Sequence, residues 1–191
     1  ENGADIVHLD QVHGRVITAG RDLRKIWNKL WSFASHHWTA AWEPCSRPDV
    51  HISMLKLVHT FSVFGYLVPV FKLTVCVRQV GPGLVYMEFN SVLGKGMFLQ
   101  TATPQGPLLQ KVIHRVYTNS WMPAVVGKLC LLAEAIQVER DIMIWNNKTY
   151  AARPMFVKSR EDTLISKHRR WFSQFYSDKS PRMFQKEDLT F

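Results

Sequence analysis

Apolar and polar residues alternate with a period of two through the middle of this 191-residue chain. Residues 51–65, HISMLKLVHTFSVFG, and 66–80, YLVPVFKLTVCVRQV, read as strands. The second leads into Gly81-Pro82-Gly83 and then LVYMEFNSV, a hairpin signature. The segment GMFLQTATPQGPLLQKVIHRVYTNS repeats the form, with its turn expected at residues 103–107. About six strands in antiparallel succession follow from this, with no strand–helix–strand alternation.

Helical spacing brackets the strands. Residues 21–42 carry Leu23, Ile26, Trp27, Leu30, Trp31, Ala34 and Trp38 at intervals that predict an amphipathic helix. The loop EPCSRPD, with Pro44 and Pro48, would end it. Residues 121–145 return to the helical period through Met122, Val125, Val126, Leu129, Leu132, Ala133 and Ile136. Pro123 sits in the first turn, where a missing N–H costs little. Arg140 falls near the centre of that apolar face, so the helix either bends there or pairs it. A last helix is predicted over residues 161–176.

The expected fold is α+β: a helix-grip (START-like) antiparallel sheet of about six or seven strands, with a long C-terminal helix across it. Such an arrangement encloses an apolar cavity between sheet and helix, sized for a lipid. The cavity alone carries no chemistry.

Composition adds boundaries. With 47% apolar and 20% charged residues, the chain is an ordinary globular domain, taken as one unit over 1–191. The longest stretch free of charged residues, 57–71, is shorter than the ~20 residues a membrane helix needs and contains His59, Gly65 and Pro69. Cys45, Cys76 and Cys130 are too dispersed for a disulfide framework or a cysteine-based zinc site, so a reducing compartment is expected.

The net charge of +9 has a location: ten basic residues lie between Lys148 and Lys186. They mix there with Glu161, Asp162, Asp178, Glu187 and Asp188, and no nucleic-acid motif accompanies them. The basic segment 148–191 reads as a solvated face, a partner-facing one or one directed at an anionic membrane. A nucleic-acid partner is not expected. The first residue is Glu1, which reads as the interior of an element and predicts a fragment lacking an N-terminal partner domain.

No GxSxG, P-loop, GxGxxG or CxxC motif is present, and the candidate chemistry lies elsewhere. Residues 2–13 read NGADIVHLDQVH. Asp5 and His8, three apart, share a helix face. His8 and His13, five apart, point about 140° from one another on a regular helix. They converge only if the helix is distorted or ends between them. One reading is an amphipathic helix with two incidental histidines. The other is a pair of metal ligands.

Two histidines and one carboxylate make the facial triad of non-haem iron(II) oxygenases, which leaves coordination positions open for oxygen. Asp141, in VERDIMIWNNK, lies at the edge of its helix's apolar face and is the candidate third ligand. The competing reading is an exposed helix acid.

The remaining histidines offer weaker signals. His36 and His37 are adjacent, diverge, and suit surface or capping roles. His51, His59 and His114 suit sheet positions, satisfied or pocket-lining, and His168 lies in a basic, exposed-looking run. Core packing is the first expectation for the tryptophan-rich stripe.

The opening NGADIVHLDQVH, the segment ERDIMIWNNKTY and the tail HRRWFSQFY together resemble the catalytic half of Rieske-type non-haem iron oxygenases. The nearest group is the steroid-acting one, the ketosteroid hydroxylases and the Neverland-like cholesterol 7-desaturases, and the likeness runs over nearly the whole chain. The resemblance implies that His8, His13 and Asp141 bind a mononuclear Fe(II). It implies that Asp5 bridges electrons from a neighbouring subunit's Rieske cluster, and that Asn2 lies beside the site in a supporting role.

No CxH or CxxH pair for a [2Fe-2S] Rieske cluster occurs in this chain, so that cluster would belong to a missing N-terminal domain. The implied activity is desaturation of cholesterol to 7-dehydrocholesterol, with O2 and electrons from NAD(P)H through a reductase or ferredoxin. The fragment alone would then be inactive. The alternatives are steroid hydroxylation and a non-catalytic sterol- or lipid-binding module. The implied assembly is a homotrimer, held at an endomembrane by an absent N-terminal anchor, with this domain facing the cytosol. An aromatic wall for a sterol becomes a second role for the tryptophans.

Overall fold

The computed structural model describes residues 4–13, 34–69, 72–92, 94–106, 109–147, 155–157 and 159–177. A short helix α1 (Ile6–His8) runs straight into a π-helical turn (Leu9–His13). Seven strands follow: β1 (Ala34–Pro44), β2 (Ile52–Val63), β3 (Tyr66–Leu67), β4 (Leu73–Val80), β5 (Leu84–Ser91), β6 (Gly94–Gly106) and β7 (Leu109–Thr118). Helices α2 (Ala124–Asn146) and α3 (Arg160–Phe172) complete the chain, the latter continuing as a 3-10 turn (Ser173–Phe175). The α+β expectation holds.

The sheet order is β1-β2-β4-β5-β6-β7, antiparallel throughout, with β3 folded back on β2. Register aligns whole rows of side chains. Trp42, Leu55, Val77, Met87, Phe98 and Val116 form one row across six strands, and Ala40, Leu57, Val75, Phe89, Gly96 and Thr118 form the next. Both lie on the same face because strand side chains repeat every second residue. These rows supply most of the core. The turn from β4 to β5 passes through Gly81 at φ +64°, a conformation that favours glycine.

Three expectations about the strands need correction here. The single strand expected over 66–80 is two, β3 turning back on β2 before β4 begins at Leu73. The helix predicted over residues 21–42 is strand β1 from Ala34 onward, while its residues 21–33 lie outside the described ones. The inward residues Trp38 and Trp42 are four apart, a spacing that fits both a helical turn and a strand repeat. Ala40, buried between them, fits only the strand. The turn expected at residues 103–107 is also later. Strand β6 extends to Gly106, which pairs with Leu109. Pro104 is tolerated because the pairing of β5 with β6 ends at Thr101, leaving the far side of β6 without a ladder at that point.

The long helix presents the opposite face to that expected. Gly127 sits against Thr118, and Glu134 faces His114 at 3.5 Å, so α2 runs along β7 with small and polar residues inward. Val125, Leu129, Leu132 and Ile136 of the apolar stripe are exposed; of that stripe, Val126 is partly buried and Met122, just before the helix begins, is buried in the core. Arg140 is buried and paired, which settles the choice left by the sequence. Of the inward residues of the sheet, Val85, Met87, Phe98 and Val116 are only half-buried.

Helix α3 begins at Ser159, whose hydroxyl accepts from the Asp162 N–H at 3.1 Å, with Glu161 and Asp162 in the first turn and Arg169 and Arg170 in the last. Its inner face docks on β1. His168, read from sequence as exposed, is buried at 4% exposure, and its ring packs beside Trp42, Trp171 and Phe172. The Trp171 indole donates to the Val50 carbonyl at 2.8 Å, and Gln174 donates to the same oxygen at 3.1 Å. Trp171→Ala is expected to lower unfolding stability by roughly 3–5 kcal/mol, read by denaturant titration. A loss below about 1 kcal/mol would mean that α3 is not anchored by this indole. Among the described residues, no helix is long and apolar enough to cross a membrane.

Candidate metal centre

The five-residue interval between the opening histidines is resolved by the π turn. A π-helix closes its backbone between residues five apart, so positions that diverge on an α-helix come onto one side. His8 ends α1, His13 ends the π turn, and their Nε2 atoms stand 2.9 Å apart. The distortion that the spacing required is therefore present.

Asp141 arrives from the inward face of α2. Its Oδ1 lies 3.1 Å from His13 Nε2 and 3.4 Å from His8 Nε2. Among the described residues, these three form the one cluster of candidate ligands whose donor atoms all lie within 4.8 Å of one another. For metal–ligand bonds of about 2.1 Å, donors at right angles stand about 3.0 Å apart and donors at the tetrahedral angle about 3.4 Å. The observed 2.9, 3.1 and 3.4 Å span that range, with two of the three at the right-angle value.

The outer hydrogen bonds fix which nitrogen faces the centre. His8 Nδ1 donates to the backbone carbonyl of Asp5 at 2.9 Å, and His13 Nδ1 donates to Gln137 Oε1. Each neutral ring then aims an Nε2 lone pair inward. Two lone pairs at 2.9 Å repel unless a proton or a cation lies between them. A divalent cation would satisfy both, with the Asp141 carboxylate supplying charge. The donor set fits a mononuclear metal.

Gln137 was not legible as a site residue. Its signal is its place one helical turn before Asp141, a polar side chain on the inward face of an apolar helix. Arg140 Nη1 donates to Gln137 Oε1 at 3.4 Å and to the Val12 carbonyl at 3.2 Å, tying α2 to the π turn. Removing such a partner of a ligating histidine typically weakens metal affinity 10–100-fold. Gln137→Leu is expected to do this, measured by competition with a chelator of known affinity. An unchanged affinity would make the contact incidental.

Charge follows from the same contacts. Burial opposes ionisation of Asp141, but hydrogen bonds from His13 and His8, with their charges, lower its carboxyl to about 2. Burial lowers His8 while the Asp141 contact and the Asp5 carbonyl raise it, and the net direction is upward. Two opposite pH dependences follow. In the metal-free protein the raised His8 stabilises the fold below about pH 6.5, and this contribution is lost as pH rises through its folded pKa. The Asp141 contribution is present above about pH 4 and is lost as pH falls toward 2. Metal affinity rises with pH, because both imidazoles must be neutral to bind. A thermal melt series with and without added metal checks the crossing. Parallel pH profiles would contradict it.

Other expected site residues divide. Asp5 caps α1, its Oδ1 accepting from the His8 N–H at 3.2 Å. The histidine ring is held by the carbonyl of Asp5, not by its carboxylate. Asn2 lies outside the described residues. His59 is buried against Trp38 at 4.7 Å between ring centroids, His37 reaches Ser62 Oγ at 3.3 Å, and His51 is exposed.

Residues 1–176 match the family model described as the 3-ketosteroid 9α-hydroxylase C-terminal domain. The chain is 48% identical over 191 residues to a cholesterol 7-desaturase from Xenopus laevis, covering 99% of this chain and 42% of that protein. It is 40% identical to a cholesterol 7-desaturase from Caenorhabditis elegans, over 100% of this chain and 44% of that one. Against the Drosophila melanogaster cholesterol 7-desaturase the identity is 40%, over 94% and 41%. The chain spans about two fifths of the length of the curated relatives it matches. By this match the chain belongs to the 3-ketosteroid 9α-hydroxylase C-terminal domain family, the C-terminal portion of Rieske-type oxygenases.

Proposed function

We propose that this chain is the iron-holding catalytic portion of a sterol-oxidising Rieske oxygenase, and that the whole protein desaturates cholesterol to 7-dehydrocholesterol. The observation that carries the reading is the convergence of His8, His13 and Asp141 within a chain of this family. His8 and His13 would each give an Nε2 to Fe(II), and Asp141 a carboxylate oxygen. When bound, the iron supplies activation of O2 at positions that the triad leaves open. The overall change removes two hydrogens from the sterol B ring and, with two electrons and two protons, reduces O2 to two waters.

The protein's own part is placement. Gln137 and the Asp5 carbonyl hold the two imidazoles in one tautomer, and Arg140 holds the π turn to α2. The half-buried Met87, Phe98 and Val116, one row on the inward face of the sheet, offer a flat hydrocarbon an apolar floor. The Asp5 carboxylate bridges to the Rieske cluster of a neighbouring subunit in a homotrimer. The cluster lies in the remainder of the full-length protein and draws on NAD(P)H through a reductase or ferredoxin. A membrane-borne substrate is consistent with an endomembrane location and a cytosolic domain.

The test is product analysis with full-length protein, reductant, O2 and cholesterol. 7-Dehydrocholesterol is the expected product. The same assay tests the second reading, hydroxylation, because a hydroxylase and a desaturase share the same first hydrogen removal and the matching family model is named for a hydroxylase. A hydroxysterol as sole product would establish that reading and overturn desaturation.

A further inference from the structure

Between β7 and α2 lies a polar pair that the metal centre does not use. His114 Nδ1 stands 3.5 Å from Glu134 Oε1, and both side chains are largely buried, at 13% and 26% exposure. Both ring nitrogens of His114 are buried with no hydrogen-bond partner among the described residues. At 3.5 Å the Glu134 contact is an ion pair in distance but too long to satisfy the ring by itself. Buried polar atoms of this kind call for a partner. Burial pushes the Glu134 carboxyl up and the His114 ring down.

The position is specific. Glu134 and Asp141 are seven residues apart on α2, two helical turns on the same face and about 10 Å along the axis. Gln100 lies beside His114 in the sheet register, on the same face. The half-buried apolar residues Val116 and Phe98 form the adjoining row. The inward surface thus has an apolar floor, a metal site at one end and a donor–acceptor pair two helical turns away. A sterol has one hydroxyl on ring A, one ring removed from the carbons oxidised in ring B. Its hydroxyl would lie from the metal by about a ring's width plus the metal-to-carbon approach.

We infer that His114 and Glu134 bind the sterol 3-hydroxyl, the imidazole donating to its oxygen and the Glu134 oxygen accepting its proton. This rests on the sterol reading above and names the group that sets the register of the substrate over the metal. A hydroxyl can do both because it is donor and acceptor at once. A sterol lacking that oxygen would leave the pair buried and unsatisfied, which is the stronger basis for discrimination.

The test uses iron-loaded full-length protein without reductant, and displacement of a fluorescent sterol by cholesterol or by cholest-5-ene, which lacks the hydroxyl. Wild type is expected to prefer cholesterol roughly 10–100-fold. Glu134→Leu and His114→Phe should each bring that preference close to one, with cholest-5-ene affinity and iron content unchanged. Glu134→Gln, which keeps an acceptor oxygen, should retain most of it. If wild type shows the preference and both apolar variants keep it, the pair is not the hydroxyl site, and the sterol reading stands without it. If wild type binds neither sterol, the sterol reading fails and takes this inference with it.

Discussion

Full-length protein carrying His13→Ala or Asp141→Ala should contain no stoichiometric iron beyond that of the Rieske cluster, while keeping its secondary structure and cooperative unfolding. Each change removes one of three donors that point at one another across 2.9–3.4 Å. Two ligands with water in the vacated position hold a divalent ion far more weakly than three preorganised ones. The fold should survive because the core lies elsewhere, along the rows from Trp42 to Phe98 and at Trp171. Asp141→Ala also removes a carboxylate that the metal-free protein pairs with His8 and His13, so its stability loss should appear mainly between about pH 4 and neutrality and fade as pH falls toward 2. Metal analysis after gel filtration, with circular dichroism on the same sample, separates the two effects. Full iron occupancy in either variant would remove that residue from the ligand set.

Asp5→Asn should leave iron and fold nearly untouched and still depress turnover by orders of magnitude. The Asp5 carbonyl that holds His8 belongs to the backbone and is unaffected by the substitution. Asparagine keeps an oxygen for the His8 N–H, so the cap is retained and stability should change by no more than about 1 kcal/mol. What disappears is a negative charge one helical turn from His8. If that charge accepts a hydrogen bond from the neighbouring subunit's cluster, its loss uncouples two redox centres that are each intact. The cluster in the full-length protein should remain reducible but reoxidise slowly in the presence of sterol and O2. Near-wild-type turnover would reduce Asp5 to the cap seen at the start of α1.

The strands β2 and β4 to β7 were legible because alternation and turn residues agree there, as in the run from Leu84 to Ser91, whereas β3 is hidden in what reads as one strand over 66–80. Strand β1 was not, because Trp38 and Trp42 satisfy two periods at once and Ala40, which separates them, is a weak hydrophobic signal. The face of α2 was misjudged for a different reason. Apolar spacing predicts burial only where the neighbouring surface is apolar, and here the inward side carries Glu134, Gln137, Arg140 and Asp141 at the interval of a helix face. Val125, Leu129 and Leu132 are left outside.

The ligand set itself was named from residues 2–13 and 139–150 by resemblance, and the five-residue gap already demanded a distorted helix. Gln137 and Arg140 escaped as supporting residues because their roles depend on the π turn being packed against α2. No local pattern records that contact. His168 was misread since its basic neighbours hide an aromatic docking face that only β1 completes.

The most direct test of the iron centre adds Fe(II) and then nitric oxide, a stand-in for O2, to anaerobic full-length protein that keeps its Rieske cluster but has been freed of its mononuclear metal. An iron with open positions should give a half-integer-spin iron–nitrosyl signal of about one spin per chain beyond the Rieske cluster. It should be absent from the Asp141→Ala protein. Wild-type protein that gave no such signal with iron bound, or an Asp141→Ala protein that gave it at full intensity, would contradict a centre built from His8, His13 and Asp141.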